Sequence, residues 1–584
     1  MILFNLEPSI TKRILNLFRP FVKQIVFILV CMVISLGISM VLPLISKQIM
    51  DEGLLKKNFN LILKFSLFSF FIILLQRSVS VLETRFRAHI NALMSYNLSK
   101  AAFKHLLKQK IQFFNNANTT EIINNIGIDV SNICRVSDRS TFFVLTETFR
   151  VVGGVIGLLL IDWKLTLLVI CMIPLRYLLV QHMAKKRNEL FEKFIEHNRQ
   201  YSSWFGDTVG GIKEIKLWGM DRVKIGQFIR KQRNLIKSNI NIALMDSVNS
   251  FSESVMMEFI ANGLYILGGY MMFRSDLTVG GLFAFITYSM YVTGPIFSIL
   301  NIGYNFAGIV PSAKRLFSFM DMECEEASEK KVLINKASIK GNIKFDHVTF
   351  SYNKERILDD ISLEFNSGER VALIGPNGSG KSSIINLALR LYKPDKGRIL
   401  LDGIDINNIG LKEYRSILSV VSQDVYLFDT TIKENISLSY PVPDAMVCKA
   451  ARESGASKFI DALPEKYEYV VGRNGSKLSG GERQKIAVAR AFARESRIVI
   501  LDEATSNYDI ESEIQLNRHI RDKYKDRTII VISHKPEILK MVDRIIMIEN
   551  GRVVDEGKHE ELLKRNFSYR ELVDSSNNTS KKVV

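Results

Sequence analysis

One short stretch of the chain has the residue types and spacing that bind phosphate groups. The segment Gly375-Pro-Asn-Gly-Ser-Gly-Lys-Ser382 follows the apolar run Val371–Ile374 and precedes the helical run Ser383–Leu391. Glycines let backbone N–H groups curl around phosphate oxygens, and the N-terminus of the following helix adds its dipole. In such a loop Lys381 reaches the β- and γ-phosphates, and the Ser382 hydroxyl binds Mg²⁺. The pattern therefore predicts a nucleotide site.

A second motif, about 120 residues later, is an apolar run that ends in two carboxylates. Ile498–Leu501 leads directly into Asp502 and Glu503. Ligands bind at the carboxyl edge of open α/β sheets, so both side chains are expected beside the phosphate loop. Asp502 suits a Mg²⁺ site, and Glu503 suits the polarisation of an attacking water. Together the two motifs predict nucleotide hydrolysis.

A third motif opens a helix that is predicted to run to about Arg494. It reads Leu478-Ser-Gly-Gly-Glu-Arg-Gln-Lys485, with two glycines at the start of the helix. The first turn of a helix has unpaired N–H groups and a positive dipole end, so it can hold an anion. One nucleotide does not easily occupy two helix starts in one chain. The motif therefore indicates a dimer, in which two such domains face each other.

The residues before these motifs are dominated by long apolar runs. Hydrophobic residues make up 47% of the 584 residues and Phe occurs 36 times, which excludes an intrinsically disordered chain. A bilayer needs about 20 apolar residues in each spanning helix. Six runs are candidate spans: Val22–Leu44, Leu61–Leu82, Thr141–Ile161, Leu165–Val180 extended past Arg176, Val255–Phe273 and Leu277–Leu300.

The basic residues of the loops predict the orientation of these spans. The chain has 78 Lys and Arg against 60 Asp and Glu, a formal charge of +18. Between Ala184 and Ile240 there are thirteen basic residues and six acidic ones. Because basic loops stay in the cytoplasm, we expect the N-terminus and everything after the sixth span to be cytoplasmic. The same holds for the long loops between spans two and three and between spans four and five. Insertion in the cell inner (plasma) membrane would therefore explain much of the positive charge of the chain. No nucleic-acid partner is expected.

The long loops are predicted to be helical extensions of the spans. Residues 84–136 and 184–250 keep apolar residues at helical spacing, with charges between them. Polar breaks at Asn115–Thr120 and Gly206–Gly211 are the predicted turnarounds.

Composition also divides the chain into domains. Residues 321–340 turn acidic and then basic, which is typical of a linker. After them, short β runs alternate with helices, which favours an α/β domain with antiparallel strands at its start. The predicted domains are 1–320 (transmembrane), 321–340 (linker) and 341–584 (nucleotide-binding). Five widely separated cysteines without a CxxC pair make a disulfide framework or a zinc site improbable.

In their order and spacing these motifs resemble the ATP-binding cassette (ABC) transporters, specifically bacterial exporter-type half-transporters. The resemblance covers essentially the whole chain. It implies an α-helical transmembrane domain of six spans with long cytoplasmic helix extensions, followed by an α/β P-loop ATPase domain of ABC type. It also implies ATP and Mg²⁺ as ligands, a dimer with two composite ATP sites, and ATP-driven export by alternating access.

The resemblance also implies roles for individual residues. Tyr352 would stack on adenine, Gln423 would bind Mg²⁺, and Ser479, Gly480 and Gly481 would contact the γ-phosphate of ATP held by the opposing subunit. His534 would contact the γ-phosphate and support hydrolysis with Glu503 and Gln423. The implied Mg²⁺ ligands are Ser382, Gln423 and Asp502. The full implied nucleotide set is Tyr352, Gly375, Asn377, Gly378, Ser379, Gly380, Lys381, Ser382, Ser383, Gln423, Ser479, Gly480, Gly481, Asp502 and His534.

Four residues, in three motifs, depart from the family pattern. Glu482 stands where glutamine is commoner, and Asn507-Tyr508 stands before Asp509 where small apolar residues are usual. Arg473 occupies the place of a coupling glutamate, so the contacts of that loop with the membrane domain are expected to differ in sign. Glu503 and His534 are both present, so we expect a hydrolysing site.

Charged residues within the spans are costly and usually face protein or water. Glu147 and Arg150 lie three apart on one helix, which favours a mutual pair over a substrate contact. Glu253 and Glu258 are candidates for an inward cavity that attracts a cationic substrate. Replacing both with Gln should then weaken stimulation by cationic substrates, and an unchanged affinity would end that hypothesis.

Several alternatives fit part of the sequence. A soluble cassette ATPase shares the motifs but has no apolar spans, whereas an ATP-gated channel or a regulatory membrane ATPase shares the whole layout. Peptides, lipids and hydrophobic drugs are all candidate substrates. Complete motifs favour a homodimer in membrane lipid, and a heterodimer with a second half-transporter also fits.

Overall fold

The structure is a computed structural model. It describes residues 8–115, 119–137, 139–274, 277–307, 309–325, 334–352, 355–438, 441–506, 508 and 510–581. The chain divides into two compact units. The helical unit comprises Met1–Leu107 and Ala117–Met322, and the sheet unit comprises Lys108–Asn116 and Glu323–Val584.

Among the described residues up to Met320, regular structure is helical apart from the bridge residue Gln109. Its α-helices are α1 (Pro8–Phe18), α2 (Val22–Gln48), α3 (Phe59–Leu106), α4 (Ile111–Asn115), α5 (Thr119–Cys134), α6 (Arg139–Ile161), α7 (Trp163–Gly210), α8 (Ile212–Leu217), α9 (Asp221–Phe273), α10 (Val279–Ala307) and α11 (Ile309–Met320). All except α4 belong to the helical unit. Helices satisfy their own backbone hydrogen bonds, which is what a segment in lipid requires.

Five of the six predicted spans lie within one of these helices, and the sixth, Leu277–Leu300, begins two residues before α10. Among the described residues, four helical stretches are long and apolar enough to cross a membrane: Lys12–Leu54, Phe59–Leu106, Trp163–Gly210 and Asp221–Phe273. The other two predicted spans lie on α6 and α10. The predicted fold class, a helical transmembrane domain ahead of an α/β domain, is confirmed.

Three helices are much longer than a bilayer is thick. Helices α3, α7 and α9 have 48, 48 and 53 residues. At 1.5 Å per residue they measure about 72 to 80 Å, against about 30 Å of hydrocarbon. The expectation that helices continue beyond the spans is therefore confirmed.

The turnaround predicted at Gly206–Gly211 is confirmed only at its last residue. Gly206 lies inside α7, which continues to Gly210, and the chain turns at Gly211 and again at Trp218–Met220. Glycine within a helix costs only about 1 kcal/mol. In this part of α7 the ring of Tyr201 stacks on Phe205 at 5.7 Å and meets Phe228 of α9 at 6.2 Å. The other predicted turnaround, Asn115–Thr120, includes residues 116–118, which lie outside the described residues.

The sheet unit alternates strands and helices. Its elements after α4 are β1 (Ile343–Tyr352), β2 (Glu355–Phe365), β3 (Arg370–Ile374), α12 (Lys381–Ala388), β4 (Lys396–Leu401), β5 (Ile404–Asp405), α13 (Leu411–Ser416), β6 (Leu418–Val421), α14 (Ile432–Ser437), α15 (Asp444–Glu453), α16 (Ser457–Ala462), α17 (Gly480–Ala493), β7 (Ile498–Asp502), α18 (Ile510–Lys523), β8 (Thr528–Ile532), α19 (Pro536–Leu539), β9 (Arg544–Glu549), β10 (Arg552–Gly557), α20 (His559–Arg565) and α21 (Phe567–Lys581).

These strands form two sheets. The antiparallel sheet has the order β2-β1-β4-β5, and the larger sheet has the order β10-β9-β3-β8-β7-β6. Strands β9, β3, β8, β7 and β6 pair in parallel, and every residue of β8 is buried. Parallel strands covered on both faces read as continuous apolar runs, which is why β3, β7 and β8 are recognisable in the sequence. Strands β4, β5, β6 and β10 are short or polar, and the sequence did not predict them.

Candidate functional site

The predicted phosphate loop connects β3 to α12. Gly375, Gly378 and Gly380 have φ values of +148°, +81° and +105°. A Cβ at Gly375 would lie 2.0 Å from the carbonyl oxygen of Ile548, so only glycine fits there. The loop is thus shaped by backbone geometry, and its N–H groups are available at the start of α12.

Lys381 is folded back on this loop. Its Nζ donates hydrogen bonds to the carbonyl oxygens of Gly375 at 2.7 Å and of Pro376 at 2.9 Å, and the residue is 8% exposed. Burial lowers the pKa of the ammonium, while the nearby Glu503 and Asp502 carboxylates raise it. The side chain is therefore held at the loop with its donors directed at oxygen atoms.

Two hydroxyl groups of the predicted set lie in the same place. The Ser379 hydroxyl oxygen is buried and finds no hydrogen-bond partner among the described residues, while Ser382 is exposed. An unpaired buried hydroxyl is unfavourable unless a ligand satisfies it. The remaining predicted loop residues, Asn377, Gly378, Gly380 and Ser383, are in the loop or in the first turn of α12.

The two predicted carboxylates follow β7, and a glutamine after β6 reaches them. Gln423 Nε2 donates to Glu503 Oε2 at 2.9 Å. Burial and the Glu503 charge raise the pKa of Asp502, and Lys381 lowers it. Glu503 has φ of +49°, a strained conformation of the kind found at active sites, and its N–H donates to Ile532 O at 3.0 Å. The structure therefore brings Gln423, Asp502, Glu503 and Lys381 together.

His534 follows β8, the strand between β3 and β7. It is half-buried, and burial and the Lys381 charge lower the pKa of its imidazole, while Glu503 raises it. A neutral imidazole at pH 7 can donate one hydrogen bond and accept another. His534 is therefore placed with the lysine and the glutamate by the strand order.

The sequence did not identify a polar clamp beside this cluster. Lys535 Nζ donates to Thr505 O and to Glu513 Oε2, both at 2.8 Å, and Thr505 Oγ1 donates to Glu513 Oε1 at 2.9 Å. The clamp fixes the segment that follows Glu503. Its only signal in the sequence is that Lys535 adjoins His534.

The third motif begins α17 with a capping box. Ser479 N donates to Glu482 Oε2 at 2.8 Å, and Glu482 N donates to Ser479 Oγ at 3.3 Å. A glutamate or a glutamine can close this box, so Glu482 fits the position locally. Among the described residues, no hydrogen bond joins Ser479, Gly480 or Gly481 to the phosphate loop.

The unusual segment before Asp509 has a structural explanation at one position. Tyr508 is buried, its hydroxyl donates to Ser454 O at 3.2 Å, and Lys485 Nζ lies 5.5 Å from its ring centroid. Tyr508 therefore fills core space that small residues would leave empty. Asn507 and Asp509 lie outside the described residues.

The predicted adenine-stacking residue, Tyr352, ends β1 and packs against Phe350 and Tyr392.

The unusual Arg473 is exposed in a short 3₁₀ turn that follows Gly472, whose φ is +75°. Both residues are accessible to a further molecule, Tyr352 because it is only half-buried.

Within the spans, the structure pairs two of the predicted charges. Arg150 Nη1 lies 2.9 Å from Glu147 Oε1 and 3.1 Å from Oε2, and the Glu147 side chain is 4% exposed. Glu253 is half-buried and Glu258 is exposed on the same helix, α9. Five residues correspond to about 140° around a helix, so these two glutamates do not share one face.

Comparison with known proteins places the chain in one family. The model of the ABC transporter transmembrane region matches residues 25–296, and the ABC transporter model matches residues 358–506. The chain is 31% identical over 577 residues to the ATP-dependent lipid A-core flippase of Idiomarina loihiensis, with 96% of this chain and 97% of the flippase covered.

Two other relatives extend this comparison. A Bacillus subtilis protein, provisionally named as a multidrug export ATP-binding/permease protein, is 29% identical over 592 residues, covering 97% of this chain and 100% of that protein. A solved structure of a bacterial Atm1-family ABC exporter with ATP bound has a TM-score of 0.81 and 25% identity, covering 95% of this chain and 99% of that chain.

Proposed function

Since the chain belongs to the ABC transporters and is an ATP-hydrolysing exporter of that family, we propose that two copies form the working unit. Its transmembrane and nucleotide-binding regions are fused in one chain, as in a half-transporter. In the proposed cycle, ATP binding brings two sheet units together and turns the cavity outward, and hydrolysis resets it.

The observation that carries the proposed hydrolysis is the meeting of Gln423 and Glu503 beside Lys381. ATP phosphates would lie on the loop N–H groups and on Lys381, in place of the carbonyl contacts that Lys381 now makes. Glu503 would polarise the attacking water, with Gln423 holding its carboxylate. His534, kept neutral by burial, would donate a hydrogen bond to the γ-phosphate.

The donor set at this site also fits Mg²⁺. Ser382, Gln423 and Asp502 offer a hydroxyl, an amide carbonyl and a carboxylate, which are the oxygen ligands that this hard cation prefers. Gln423 gives its amide N–H to Glu503, so its carbonyl oxygen can face a cation. When bound, Mg²⁺ would neutralise phosphate charge. In the same site Tyr352 would stack on the adenine.

The separate start of α17 supports the dimer. Ser479, Gly480 and Gly481 form a capped helix start with an anion-binding geometry, yet no hydrogen bond joins it to the phosphate loop among the described residues. In the dimer, this helix start of one chain would contact the γ-phosphate of the ATP held by its partner. The complete motif set favours a homodimer, and a heterodimer is the alternative outcome of the test below.

The relatives favour a substrate class, and the loop charges favour a location. Relatives named as lipid A-core flippases favour a lipid, and peptides and hydrophobic drugs remain candidates. The basic loops favour the inner or plasma membrane with the N-terminus and the sheet unit in the cytoplasm. The proposed transmembrane, linker and nucleotide-binding regions are residues 1–320, 321–340 and 341–584.

The decisive experiment measures vanadate-sensitive ATPase activity of the purified protein alone in lipid nanodiscs. Glu503→Gln should lower turnover by about 100- to 10,000-fold and leave ATP binding intact, because only the water-polarising carboxylate is lost. Glu511→Gln is the matched control, since Glu511 is an exposed residue of α18 paired with Lys458.

Each outcome has a distinct meaning. Robust activity that Glu503→Gln abolishes supports a homodimer with working composite sites. A well-folded wild type without activity removes the support for the homodimer and points to a missing second half-transporter or to a cycle that requires the substrate. Passive substrate flux that persists in Glu503→Gln would contradict export and favour the ATP-gated channel.

A further inference from the structure

Three aromatic rings of the sheet unit meet at the end of β1. The ring centroids of Phe350 and Tyr352 are 4.7 Å apart, and those of Tyr352 and Tyr392 are 5.0 Å apart with an interplanar angle of 89°. Such edge-to-face pairs have a preferred geometry, so each ring restricts the other. The Tyr352 hydroxyl also accepts a hydrogen bond from Asn386 Nδ2 at 3.3 Å. The Tyr352 ring is thus held both at its hydroxyl and by a neighbouring ring.

Tyr392 is in turn bound by a residue of α4, which is remote in sequence. Asn115 Nδ2 donates to the Tyr392 hydroxyl at 2.8 Å. Tyr392 is 8% exposed, and burial and the neighbouring Tyr352 raise the pKa of its phenol. The hydroxyl therefore stays protonated, and its position depends on a neutral hydrogen bond from α4.

Helix α4 is fixed in the sheet unit by other contacts. Ile111 packs against the core that includes β1, and the N–H of Glu325 donates to Lys108 O at 2.8 Å. Gln109 and Cys324 form an antiparallel bridge. Leu107–Lys110 joins α4 to α3, so α4 lies next to one of the points at which the chain passes from the helical unit into the sheet unit.

We propose that Tyr392 is a positioning residue for the adenine-stacking ring of Tyr352, and that Asn115 makes nucleotide affinity depend on the position of α4. This inference rests on the proposed role of Tyr352. Without Asn115, Tyr392 loses its hydroxyl partner and the perpendicular packing on Tyr352 loosens. A less ordered Tyr352 must then be immobilised when the base binds, which weakens binding.

The same geometry predicts which kinetic constant changes. No hydrogen bond joins Tyr392 to Lys381, Asp502 or Glu503 among the described residues. Tyr392→Phe and Asn115→Ala should therefore raise the KM for ATP while kcat stays the same. A Tyr392 that only fills space would change thermal stability without this split.

The test measures KM and kcat for ATP with the full-length protein in nanodiscs. Tyr392→Phe and Asn115→Ala should each raise KM by about two- to tenfold, the range of one lost hydrogen bond, and the double variant by no more than either alone. Tyr392→Leu, which removes the ring, should approach the KM of Tyr352→Ala. The matched control is Tyr569→Phe, which removes a buried hydroxyl bonded to His559 at 2.6 Å and should leave KM unchanged.

The outcomes separate this inference from the proposed function. An unchanged KM in both Tyr392→Phe and Asn115→Ala overturns the inference and leaves the proposed ATPase intact. Fully additive effects of these two variants overturn it as well, because they would show independent contributions. If Tyr352→Ala itself has an unchanged KM, the adenine-stacking role fails and the inference falls with it. Tyr392→Phe keeps the ring, so it remains informative if Tyr392→Leu does not fold.

Discussion

Charged side chains serve different ends in the two units. In the sheet unit, Lys381 and Asp502 are partly buried and lie close enough to shift each other's pKa at the edge where ATP binds. In the helical unit, buried or half-buried charges lie in pairs: Glu83 with Arg87 at 2.7 Å, and Glu147 with Arg150 at 2.9 Å. Single residues therefore reveal the chemistry of the sheet unit, whereas paired charges in the helical unit reveal little about the substrate.

Apolar residues show the same contrast. Phe71 and Leu160 of the helical unit are 65% and 81% exposed, while β7 and β8 of the sheet unit are almost completely buried. Apolar area on this scale is unfavourable in water and favourable in the hydrocarbon of a bilayer. The helical unit is thus built for lipid and the sheet unit for water.

The largest expected effect is in the sheet unit. Lys381→Met should lower ATP turnover by more than about 100-fold and weaken ATP binding, because the buried ammonium is the cation nearest the loop that receives the phosphates. ATPase activity and calorimetric ATP binding in nanodiscs measure both effects. Lys344→Met, at an exposed position of β1, is the control. An ATP turnover of Lys381→Met within tenfold of wild type would contradict the proposed role of Lys381, and with it the contrast between the two units.

A smaller effect is expected in the helical unit, on stability. Arg150→Met should destabilise the protein by up to about 3–5 kcal/mol, because it removes the guanidinium that lies 2.9 Å from the buried Glu147 carboxylate. The double variant Glu147→Gln/Arg150→Met should recover most of the loss. Thermal unfolding in nanodiscs, followed by intrinsic fluorescence, measures this.

The exposed pair Arg199–Glu196 has the same spacing on α7 and serves as the control. Its replacement should leave the unfolding temperature unchanged. If Arg150→Met is as stable as wild type but loses substrate stimulation, the pair is a substrate contact, and the contrast between the units fails at this position.

The smallest effect concerns pH. Burial and Lys381 lower the pKa of His534 below the ordinary value of about 6.5, so the unfolded chain binds this proton first as the pH falls. Its contribution to stability is present above about pH 6.5 and is lost as the pH falls through the lower native pKa. His534→Gln should flatten this dependence by less than about 1 kcal/mol, since the imidazole is only half-buried.

Unfolding temperatures between pH 5 and pH 7.5 check this prediction. His519→Gln, on α18, is the matched histidine control. If His534→Gln keeps the full pH dependence of the wild type, another group is responsible, and the neutral imidazole loses its support.

The motifs were readable because each depends on a few consecutive residues. The phosphate loop is made by backbone conformations that only its glycines permit, and the apolar runs of β3, β7 and β8 follow from burial on both faces. The six spans follow in the same way from the length of an apolar run. Such local causes leave a direct pattern in the sequence.

The sequence did not predict the end of helix α7 or the side-chain contacts between residues that lie far apart in the chain. The turn predicted at Gly206–Gly211 begins only at Gly211, and the preceding end of α7 packs on another helix through Tyr201 and Phe228. The clamp of Lys535, Thr505 and Glu513 has no motif, because its members belong to different elements.

The sequence by itself determined a membrane-spanning helical region, a nucleotide loop and the types of its catalytic candidates. Only the tertiary structure decided that β8 lies between β3 and β7, which places His534 with Lys381 and Glu503. Likewise, only the tertiary structure placed α4 in the sheet unit, with Asn115 on Tyr392. The physical reason is that strand order and helix docking are set by side-chain packing between segments hundreds of residues apart, which no local spacing records.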